Sequence, residues 1–372
     1  MTDVSRHGRQ LVLLGVLVLI GSTITAQGGG VGHAAGRRIH AVEILSGLNR
    51  PAAFTIGPDG RIFFGERLTA EIRISEGPGL PGHLFFTVPK VVGSKLTTQG
   101  LLGLALHPHY PENPFIYAYV TRRIHGRLKN QIVRITDHHG SGGDLKVVYS
   151  ARGGITNQGG RILFGPDGML YAVVGEMHRP ELSQDIDNVN GKVLRMTPTG
   201  RVPRGNPFRH SLVFARGIRN SYGFDFDPVT GLIWESENGP ECNDELNLIR
   251  RGRNYGWGPH AYCGHPPRAP RNTNRDGKHP AQPERFYTPT IAPTGLAFCA
   301  PCGLGEDRVG DLFFGSFNTG DVREVTLGGR RRGVVSQTVA YHHRRPVLSM
   351  ETGPRGAVFF SDSQGIFRLS VG

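Results

Sequence analysis

Short apolar strands, each preceded by a turn, recur along most of the chain. In one unit, Pro58-Asp59-Gly60 and Arg61 lead into the apolar residues 62–64. A turn sequence ahead of β-branched and aromatic residues is typical of a β-hairpin. No helical periodicity of useful length separates the units, and 54 glycines with 26 prolines favour tight turns over helices. The units lie at 58–64, 113–119, 166–172, 230–234, 309–314 and 354–360.

The number and spacing of these units predict the architecture. Units about 45 to 80 residues apart fit blades of four short strands placed radially around a channel. About 340 residues after removal of a leader exceed the size at which one hydrophobic core usually stops growing, which favours a repetitive fold. The sequence therefore predicts an all-β, six-bladed β-propeller that forms a single domain over residues 40–372.

The amino terminus has the pattern of a secretory signal peptide. Arg6, His7 and Arg9 precede an apolar run at 11–20, and small and polar residues follow to Ala26. The run is about half of the roughly 20 apolar residues that a spanning helix needs. We predict a signal peptide over 1–26, a flexible lead-in over 27–39, no stable membrane span and a secreted or periplasmic protein. An uncleaved anchor is the alternative.

Cys242, Cys263, Cys299 and Cys302 form an even set in a chain with an export signal. Disulfides are the expected state there, and sequence proximity favours pairs 242–263 and 299–302 among the three possible pairings. A thiol-exchange site at 299–302 and a four-thiolate zinc site are alternatives. The zinc alternative lacks a second tight pair of cysteines, and the thiol-exchange alternative lacks a helix after a strand.

The formal net charge of +13 raises the question of an anionic partner. Basic residues are scattered, and their densest groups, at 250–253, 330–332 and 342–345, occupy turn-like positions. Nucleic-acid binding needs a clustered basic face or a known module, so we expect no nucleic acid. Loose attraction to an anionic cell-surface polymer is the expected consequence of the charge.

Two loop-like stretches, 99–110 and 235–257, are dense in glycine, asparagine, acidic and aromatic residues. Glycine weakens strands and asparagine favours turns, so these stretches predict structured loops that carry a site. They belong to a series of segments whose order follows a known family. Those segments are 47–51, 65–67, 99–110, 159–161, 191–195, 206–208, 219–220, 239–247 and 254–257.

The chain thus resembles the glucose/sorbosone dehydrogenase family, soluble quinoprotein sugar dehydrogenases that use pyrroloquinoline quinone (PQQ) with calcium. The resemblance implies oxidation of a sugar or polyol by hydride transfer to the quinone. By position, Gln99 and Asn220 match cofactor-contacting residues of the family. A family lysine that contacts the quinone aligns with Asn318. Of two family arginines that hold the cofactor, Arg345 is kept and His343 stands at the other position.

The same resemblance implies calcium sites in the loop after residue 237. Gly239 and Pro240 match the backbone carbonyls that hold the cofactor's calcium, and Asn238 lies beside them. Asp244 and Glu245 match an acidic stretch that in the family also supports a second calcium. Oxygen donors of these kinds suit calcium. The alternative interpretation is a rigid blade connection whose carboxylates cap backbone amides.

The resemblance breaks at the general base. The family places a histidine three residues before the pair represented by Gly160-Arg161, where this chain has Asn157. An amide cannot accept a proton at neutral pH, and the reaction needs a base within reach of the sugar hydroxyl. Glu176 aligns with the carboxylate that orients the missing histidine. Burial can raise a carboxylate pKa into a useful range, so Glu176 is the candidate base, with His178 second.

Three functions remain open at this point, because a fold does not fix a function. The working prediction is a dehydrogenase with an altered base. The alternative is a catalytically degenerate propeller that binds a glycan or a protein. A calcium-dependent propeller hydrolase would instead need Asn157, Glu176 and Asn220 to converge on one metal.

Overall fold

The computed structural model describes residues 37–264 and 270–372. Within them the chain folds into six four-stranded antiparallel sheets, which confirms the predicted six-bladed β-propeller. The strands are β1 (Ile39–Leu45), β2 (Pro51–Ile56), β3 (Ile62–Glu66), β4 (Glu71–Ser75), β5 (His83–Thr87), β6 (Leu101–Leu106), β7 (Phe115–Ile124), β8 (Arg127–Asp137), β9 (Gly142–Arg152), β10 (Gly159–Phe164), β11 (Leu170–Val174), β12 (Lys192–Met196), β13 (Val213–Arg216), β14 (Ser221–Phe226), β15 (Ile233–Glu237), β16 (Asp244–Ile249), β17 (Arg285–Tyr287), β18 (Pro293–Phe298), β19 (Leu312–Ser316), β20 (Asp321–Leu327), β21 (Val334–His342), β22 (Ser349–Thr352), β23 (Val358–Ser361) and β24 (Ile366–Val371).

Helices are short in the described ranges. One turn of α-helix, α1 (Glu181–Gln184), and three 3-10 turns at Pro270–Asn272, Glu306–Arg308 and Pro354–Gly356 lie in loops between strands. None of the described helices has the length and apolarity needed to cross a bilayer. The predicted signal peptide and most of the predicted lead-in lie outside the described residues. Strand β1 begins at Ile39, the last residue of the predicted lead-in.

The ring is closed by strands from the two ends of the chain. Five blades are consecutive, β2–β5, β6–β9, β10–β13, β14–β17 and β18–β21. The sixth blade combines β22–β24 with β1, whose Ile39 pairs with Val371 and whose Leu45 pairs with Ile366. Because β1 continues directly into the first blade, this pairing fastens the first blade to the last and leaves no gap in the ring.

Apolar side chains fill the spaces between neighbouring blades. Trp234 of β15, for example, is fully buried in one cluster with Leu296 of β18 and Phe314 of β19. Each such side chain contributes about 1.5–3 kcal/mol by leaving water. The turns ahead of the strands follow the predicted chemistry, since Asp59 Oδ1 accepts the Arg61 amide at 3.1 Å and Gly60 has a φ of 89°.

A buried ionic network crosses the centre of the ring. Arg161 of β10 reaches β22 on the opposite side, where its Nη2 lies 2.8 Å from Glu351 Oε1. Asp225 of β14 accepts bonds from the Phe298 amide at 3.0 Å and from Thr352 Oγ1 at 2.9 Å. These contacts join innermost strands of four blades. The channel is therefore plugged by polar side chains below the face on which the candidate residues lie.

Both predicted disulfides are present, Cys242–Cys263 and Cys299–Cys302, and no cysteine of the chain is free. This pairing leaves no thiolate for the zinc alternative.

Candidate functional site

The candidate residues all lie on loops at one face of the ring. The first strands of the blades, β2, β6, β10, β14, β18 and β22, contact one another around the axis. In an antiparallel four-stranded blade, the loop before the first strand and the loop between the second and third strands open on the same face. We call this the front face. Its loops carry Gln99, Asn157, Glu176, His178, Asn220, Asn238, Gly239, Pro240, Asn318, His343 and Arg345, and β16 starts there with Asp244 and Glu245.

Hydrogen bonds join neighbouring blades all the way around the front face. Gln99 takes part directly, since its Nε2 donates to the Gly154 carbonyl at 2.7 Å. Residues from distant parts of the sequence therefore surround one axis. The other links are Glu176 N to Arg219 O (2.9 Å), Asn238 Nδ2 to Pro293 O (2.8 Å), Val347 N to Ser316 O (3.2 Å), Ser361 Oγ to Pro51 O (2.8 Å) and Leu101 N to Arg67 O (3.0 Å).

Asn157 and Glu176 form a buried pair. Asn157 Nδ2 donates to Glu176 Oε1 at 2.6 Å. A carboxylate only accepts, so the amide nitrogen must face Glu176 and Asn157 Oδ1 must point away from it. Glu176 Oε2 is shielded from solvent and has no hydrogen-bond partner among the described residues. The pair thus leaves one carboxylate oxygen, Glu176 Oε2, without a partner among the described residues.

The backbone around this pair is strained. Asn157, Met177 and His178 all have positive φ angles, of 51°, 59° and 56°. Non-glycine residues rarely adopt this conformation, and such residues cluster at functional sites. The turn that results leaves the His178 side chain exposed while Glu176 is buried. His178 therefore lies at the solvent side of the loop that carries Glu176.

Arg219 occupies a central position that the sequence interpretation missed. Its Nη1 donates to the Asn238 carbonyl at 2.8 Å, its guanidinium lies 5.3 Å from the Trp257 ring centroid, and its amide donates to Glu237. Burial lowers the pKa of Arg219, and the charges of Glu176 and Glu237 oppose that shift. The signal was available, because Arg219-Asn220 is one of the segments that follow the family order.

Asn220 accepts hydrogen bonds from two backbone amides. Its Oδ1 accepts the Gly159 amide at 3.2 Å, and its carbonyl accepts the Asn238 amide at 2.9 Å. Asn157 meanwhile turns its nitrogen toward Glu176. The Asn220 side-chain oxygen thus serves a backbone amide, and Asn157 presents its nitrogen rather than its oxygen to Glu176. No cluster of three histidine, cysteine or acidic side chains within the described ranges is arranged to bind a metal.

The loop from Asn238 to Asn243 presents backbone oxygens. The Gly239 amide donates to Asp244 Oδ1 at 2.8 Å, and Asp244 Oδ2 accepts the amides of Ile291 and Ala292 at 2.6 and 2.7 Å. Asp244 therefore caps backbone amides, as the alternative interpretation expected. None of the hydrogen bonds in the described part of the chain reaches the carbonyl of Gly239 or Pro240. Both carbonyls remain available to a cation.

Behind this loop lies a group of buried carboxylates that includes Glu245. Asn247 Nδ2 donates to both Glu235 Oε2 and Glu245 Oε2 at 3.1 Å, and Asn274 Nδ2 donates to Glu245 at 3.0 Å. Burial raises the pKa of Glu235 to about 8 and that of Glu245 to about 7, and it raises the pKa of Glu237 well above its usual value. Glu235 Oε1 and Asn247 Oδ1 lack partners within the described residues. Such a group gains a proton more readily than a solvated one.

The remaining predicted cofactor residues differ in placement. Asn318 is exposed and donates to the Thr290 carbonyl at 3.2 Å. His343 is buried in the sixth blade, 5.0 Å from the Phe360 ring and 2.9 Å from Asp362. Arg345 Nη1 also contacts Asp362, at 3.1 Å, and about half of its side chain is exposed. Arg345 is thus the more accessible cation of the two.

Asp362 holds this pair of cationic side chains in place. Its burial would raise its pKa, but hydrogen bonds from His343, from the Gln364 amide and from Arg345 outweigh that effect and lower the pKa to about 2. Asp362 is therefore charged throughout the physiological range. The ring of His343 is fixed toward Asp362 and the aromatic interior of the blade.

Comparison with known proteins identifies the family. The sequence profile described as Glucose / Sorbosone dehydrogenase matches residues 48–369. The chain belongs to this family. Among curated members, quinoprotein glucose dehydrogenase B of Acinetobacter calcoaceticus is 34% identical over 246 residues, which cover 58% of this chain and 51% of that protein. Aldose sugar dehydrogenase YliI of Escherichia coli is 27% identical over 347 residues, which cover 86% of this chain and 88% of that protein.

Structural similarity leads to the same family. The PQQ-bound form of an aldose sugar dehydrogenase from Streptomyces coelicolor has a TM-score of 0.78 and 27% identity, and the match covers 90% of this chain and 98% of that one. As a member of the glucose/sorbosone dehydrogenase family, this chain is a sugar dehydrogenase homologue. The assignment of Asn157 and Glu176 to the positions of the family's base and its orienting carboxylate stays a prediction from the resemblance.

Proposed function

We propose that this protein is an extracytoplasmic sugar dehydrogenase that oxidises an aldose or polyol with PQQ and calcium. The observation that carries the proposal is the arrangement of the front face. There the Asn157–Glu176 pair, Arg219 and the carbonyls of Gly239 and Pro240 lie on hydrogen-bonded neighbouring loops of the third and fourth blades. Family membership supplies the reaction class.

The residues of the loop after β15 fit a calcium ion. Gly239 and Pro240 offer carbonyl oxygens without hydrogen-bond partners among the described residues, and hard oxygen donors suit calcium. A Cβ on residue 239 would lie 2.0 Å from the Cys242 carbonyl, so the tight curvature that presents these oxygens requires glycine. Asp244 and Glu245 place negative charge beside the loop.

Cationic side chains on the front face fit the carboxylates of PQQ. Arg219 and Arg345 would hold those carboxylates, because guanidinium groups bind carboxylates with charge-assisted hydrogen bonds. Gln99 and Asn220 line the same face, and Asn318 offers an amide where the family has a charge. When bound, PQQ supplies the carbonyl that accepts hydride, and calcium polarises it.

Glu176 takes the hydroxyl proton in this proposal. Its Oε2 has no hydrogen-bond partner among the described residues and is therefore free to accept a proton. Asn157 Oδ1 points away from Glu176 and can accept a hydrogen bond from a neighbouring hydroxyl of the sugar, one that is not being oxidised. His178 is the second candidate for the base, but its side chain lies on the solvent side of the loop.

One observation favours a second candidate function. Glu176 Oε2 is shielded from solvent, and the Asn157 side-chain amide donates to the other carboxylate oxygen, Oε1. A propeller that kept its scaffold but lost proton transfer would show this arrangement. In that case the front face binds a glycan or a protein without redox chemistry, and the net charge of +13 favours an anionic cell-surface polymer.

A dye-reduction assay on the reconstituted protein distinguishes the two functions. Purified protein is loaded with PQQ and calcium and is then offered aldoses and polyols with an electron-accepting dye. We expect sugar-dependent reduction that Glu176→Gln lowers by about 100-fold or more, the usual contribution of a general base. Glu181→Gln, an exposed carboxylate close by, is the control and should keep full activity. Saturable sugar binding without dye reduction would support the binding function.

A further inference from the structure

The Cys242–Cys263 disulfide lies at the loop to which the proposed function assigns calcium. Cys242 is fully buried and falls between Pro240 and Asp244 in the connection from β15 to β16. Its Cα lies 5.8 Å from the Cα of Cys263, on the segment that follows β16. The bond therefore ties the loop to a second stretch of chain, 21 residues away.

The two ends of this loop are firmly held by hydrogen bonds. At the start, Asn238 donates through Nδ2 to the Pro293 carbonyl at 2.8 Å. At the end, the Asn243 amide donates to Thr288 Oγ1 at 2.9 Å and Asn243 Nδ2 donates to Thr273 Oγ1 at 3.3 Å. Both ends are thus fixed to the neighbouring blade or to the segment after β16.

The middle of the loop has few such contacts. Pro240 and Glu241 are exposed, and proline has no amide hydrogen to donate. The Gly239 amide makes one bond, to Asp244 at 2.8 Å. A Cβ added to Gly239 would lie 2.0 Å from the Cys242 carbonyl, which means that this carbonyl packs against the Gly239 Cα. The position of Cys242 therefore determines where the carbonyls of Gly239 and Pro240 can lie.

The far end of the disulfide is also anchored. The Tyr262 amide donates to the Asn272 carbonyl at 3.1 Å, and Asn272 Nδ2 donates to the Cys263 carbonyl at 3.4 Å. The same segment carries Asn274, whose side-chain Nδ2 donates a hydrogen bond to Glu245 Oε2 at 3.0 Å. The disulfide thus connects the carbonyl-bearing loop to the frame that supports the buried carboxylates.

We propose that the Cys242–Cys263 disulfide is a positioning element for calcium, which holds the Gly239 and Pro240 carbonyls in a binding arrangement. This inference rests on the proposed calcium site. Without the bond, the exposed middle of the loop can adopt many conformations, and calcium must select the few that bind it. Calcium affinity therefore falls when the bond is absent, even where the fold persists.

The test compares two disulfide-free variants by isothermal titration with calcium chloride. Cys242→Ser/Cys263→Ser should bind calcium at least tenfold more weakly than the wild type. Cys299→Ser/Cys302→Ser is the matched control, because that disulfide follows the end of β18 on the opposite face, and its affinity should stay within twofold. Thermal unfolding in EGTA measures the structural cost of each variant separately. Equal calcium affinity in both variants and the wild type would overturn the inference.

A reciprocal measurement covers the case in which the first variant does not fold. Dithiothreitol donates two electrons to each disulfide and forms two thiols, which alkylation and peptide mass spectrometry quantify. If the disulfide strengthens calcium binding tenfold, saturating calcium must lower the equilibrium constant for reduction of Cys242–Cys263 by the same factor. Calcium should not change the reduction of the Cys299–Cys302 disulfide. An equal effect of calcium on the reduction of both disulfides would contradict the inference. A wild type that binds no calcium would instead contradict the proposed function and, with it, this inference.

Discussion

The fourth blade and its two neighbours, the third and fifth blades, differ in how closely their front-face residues follow the family pattern. On the fourth blade, Asn220, Gly239 and Pro240 match the family positions, and the loop is supported by an aspartate, a disulfide and neighbouring amides. On the third and fifth blades, Asn157 and Asn318 replace a base and a cation, although the hydrogen bonds around them are intact. In the proposed function, cation and cofactor binding would depend mainly on backbone geometry. Proton transfer would depend on single side chains, which can change without loss of the fold.

The most disruptive change on the fourth blade is Gly239→Ala. A Cβ there would lie 2.0 Å from the Cys242 carbonyl, so the loop must open and its carbonyls must move. We expect calcium affinity to fall by about 100-fold or more, a loss of roughly 3 kcal/mol. Isothermal titration measures it, with Gly329→Ala as the control, since no heavy atom lies within 4 Å of a Cβ at that glycine. Unchanged affinity would show that the carbonyls of this loop do not bind calcium.

The corresponding change on the third blade is Asn157→His, which restores the base that the resemblance predicts. Glu176 already accepts a bond from residue 157 and can orient an imidazole. We expect the rate of dye reduction to rise by about tenfold or more, with a pH profile governed by a pKa near 6.5. The double variant with Glu176→Gln should lose most of this gain. If Asn157→His leaves both the rate and the pH profile unchanged, residue 157 does not face the substrate.

The buried carboxylates of the fourth blade predict a pH dependence of stability. Glu235 and Glu245 have folded-state pKa values raised to about 8 and about 7, so the folded protein binds protons more tightly than the unfolded chain. Without calcium, the free energy of unfolding should therefore decrease as the pH rises from about 4.5 to 8, by about 1 kcal/mol or more in total.

Thermal unfolding in EGTA and in calcium at pH 5, 6, 7 and 8 measures this effect. The variant Glu235→Gln/Glu245→Gln should show a flatter pH dependence than the wild type. A melting temperature that rises with pH in EGTA would contradict the assignment of these carboxylates as proton-binding groups.

The smallest expected effect comes from restoring charge on the fifth blade. Asn318→Lys replaces an exposed amide with the cation of the family pattern, and exposed ion pairs contribute about 0.2–1 kcal/mol. PQQ affinity should rise by at most about fivefold, measured by fluorescence or absorbance titration. Thr319→Lys adds the same charge at the neighbouring exposed position and should have less effect. Equal gains from both lysines would point to general electrostatic attraction.

Much of the fold could be predicted because turns and strand patterns are local. The turn at Asp59-Gly60 and the strand after it form as the sequence indicates, and the short sequence separation of Cys299 and Cys302 favoured their pairing. Closure of the last blade by β1 depends instead on contact between chain ends. The Arg161–Glu351 ion pair likewise joins residues that no local pattern connects.

Only those candidate site residues that the family resemblance marks individually could be predicted from the sequence. The resemblance pointed to Gln99, Asn157, Glu176 and Asn220, and the ring brings their loops to one face. The burial of His343 against Phe360 depends on packing inside the blade, and the role of Glu235 depends on the register between β15 and β16. Sequence alone does not determine which way such side chains turn.

Binding of PQQ with and without calcium tests the central claim most directly. The absorbance change of PQQ measures its binding in a titration. We predict saturable binding of about one PQQ per chain in calcium and at least tenfold weaker binding in EGTA. Failure to bind PQQ under either condition, by a protein that remains folded, would contradict the dehydrogenase account and favour a propeller that binds other ligands.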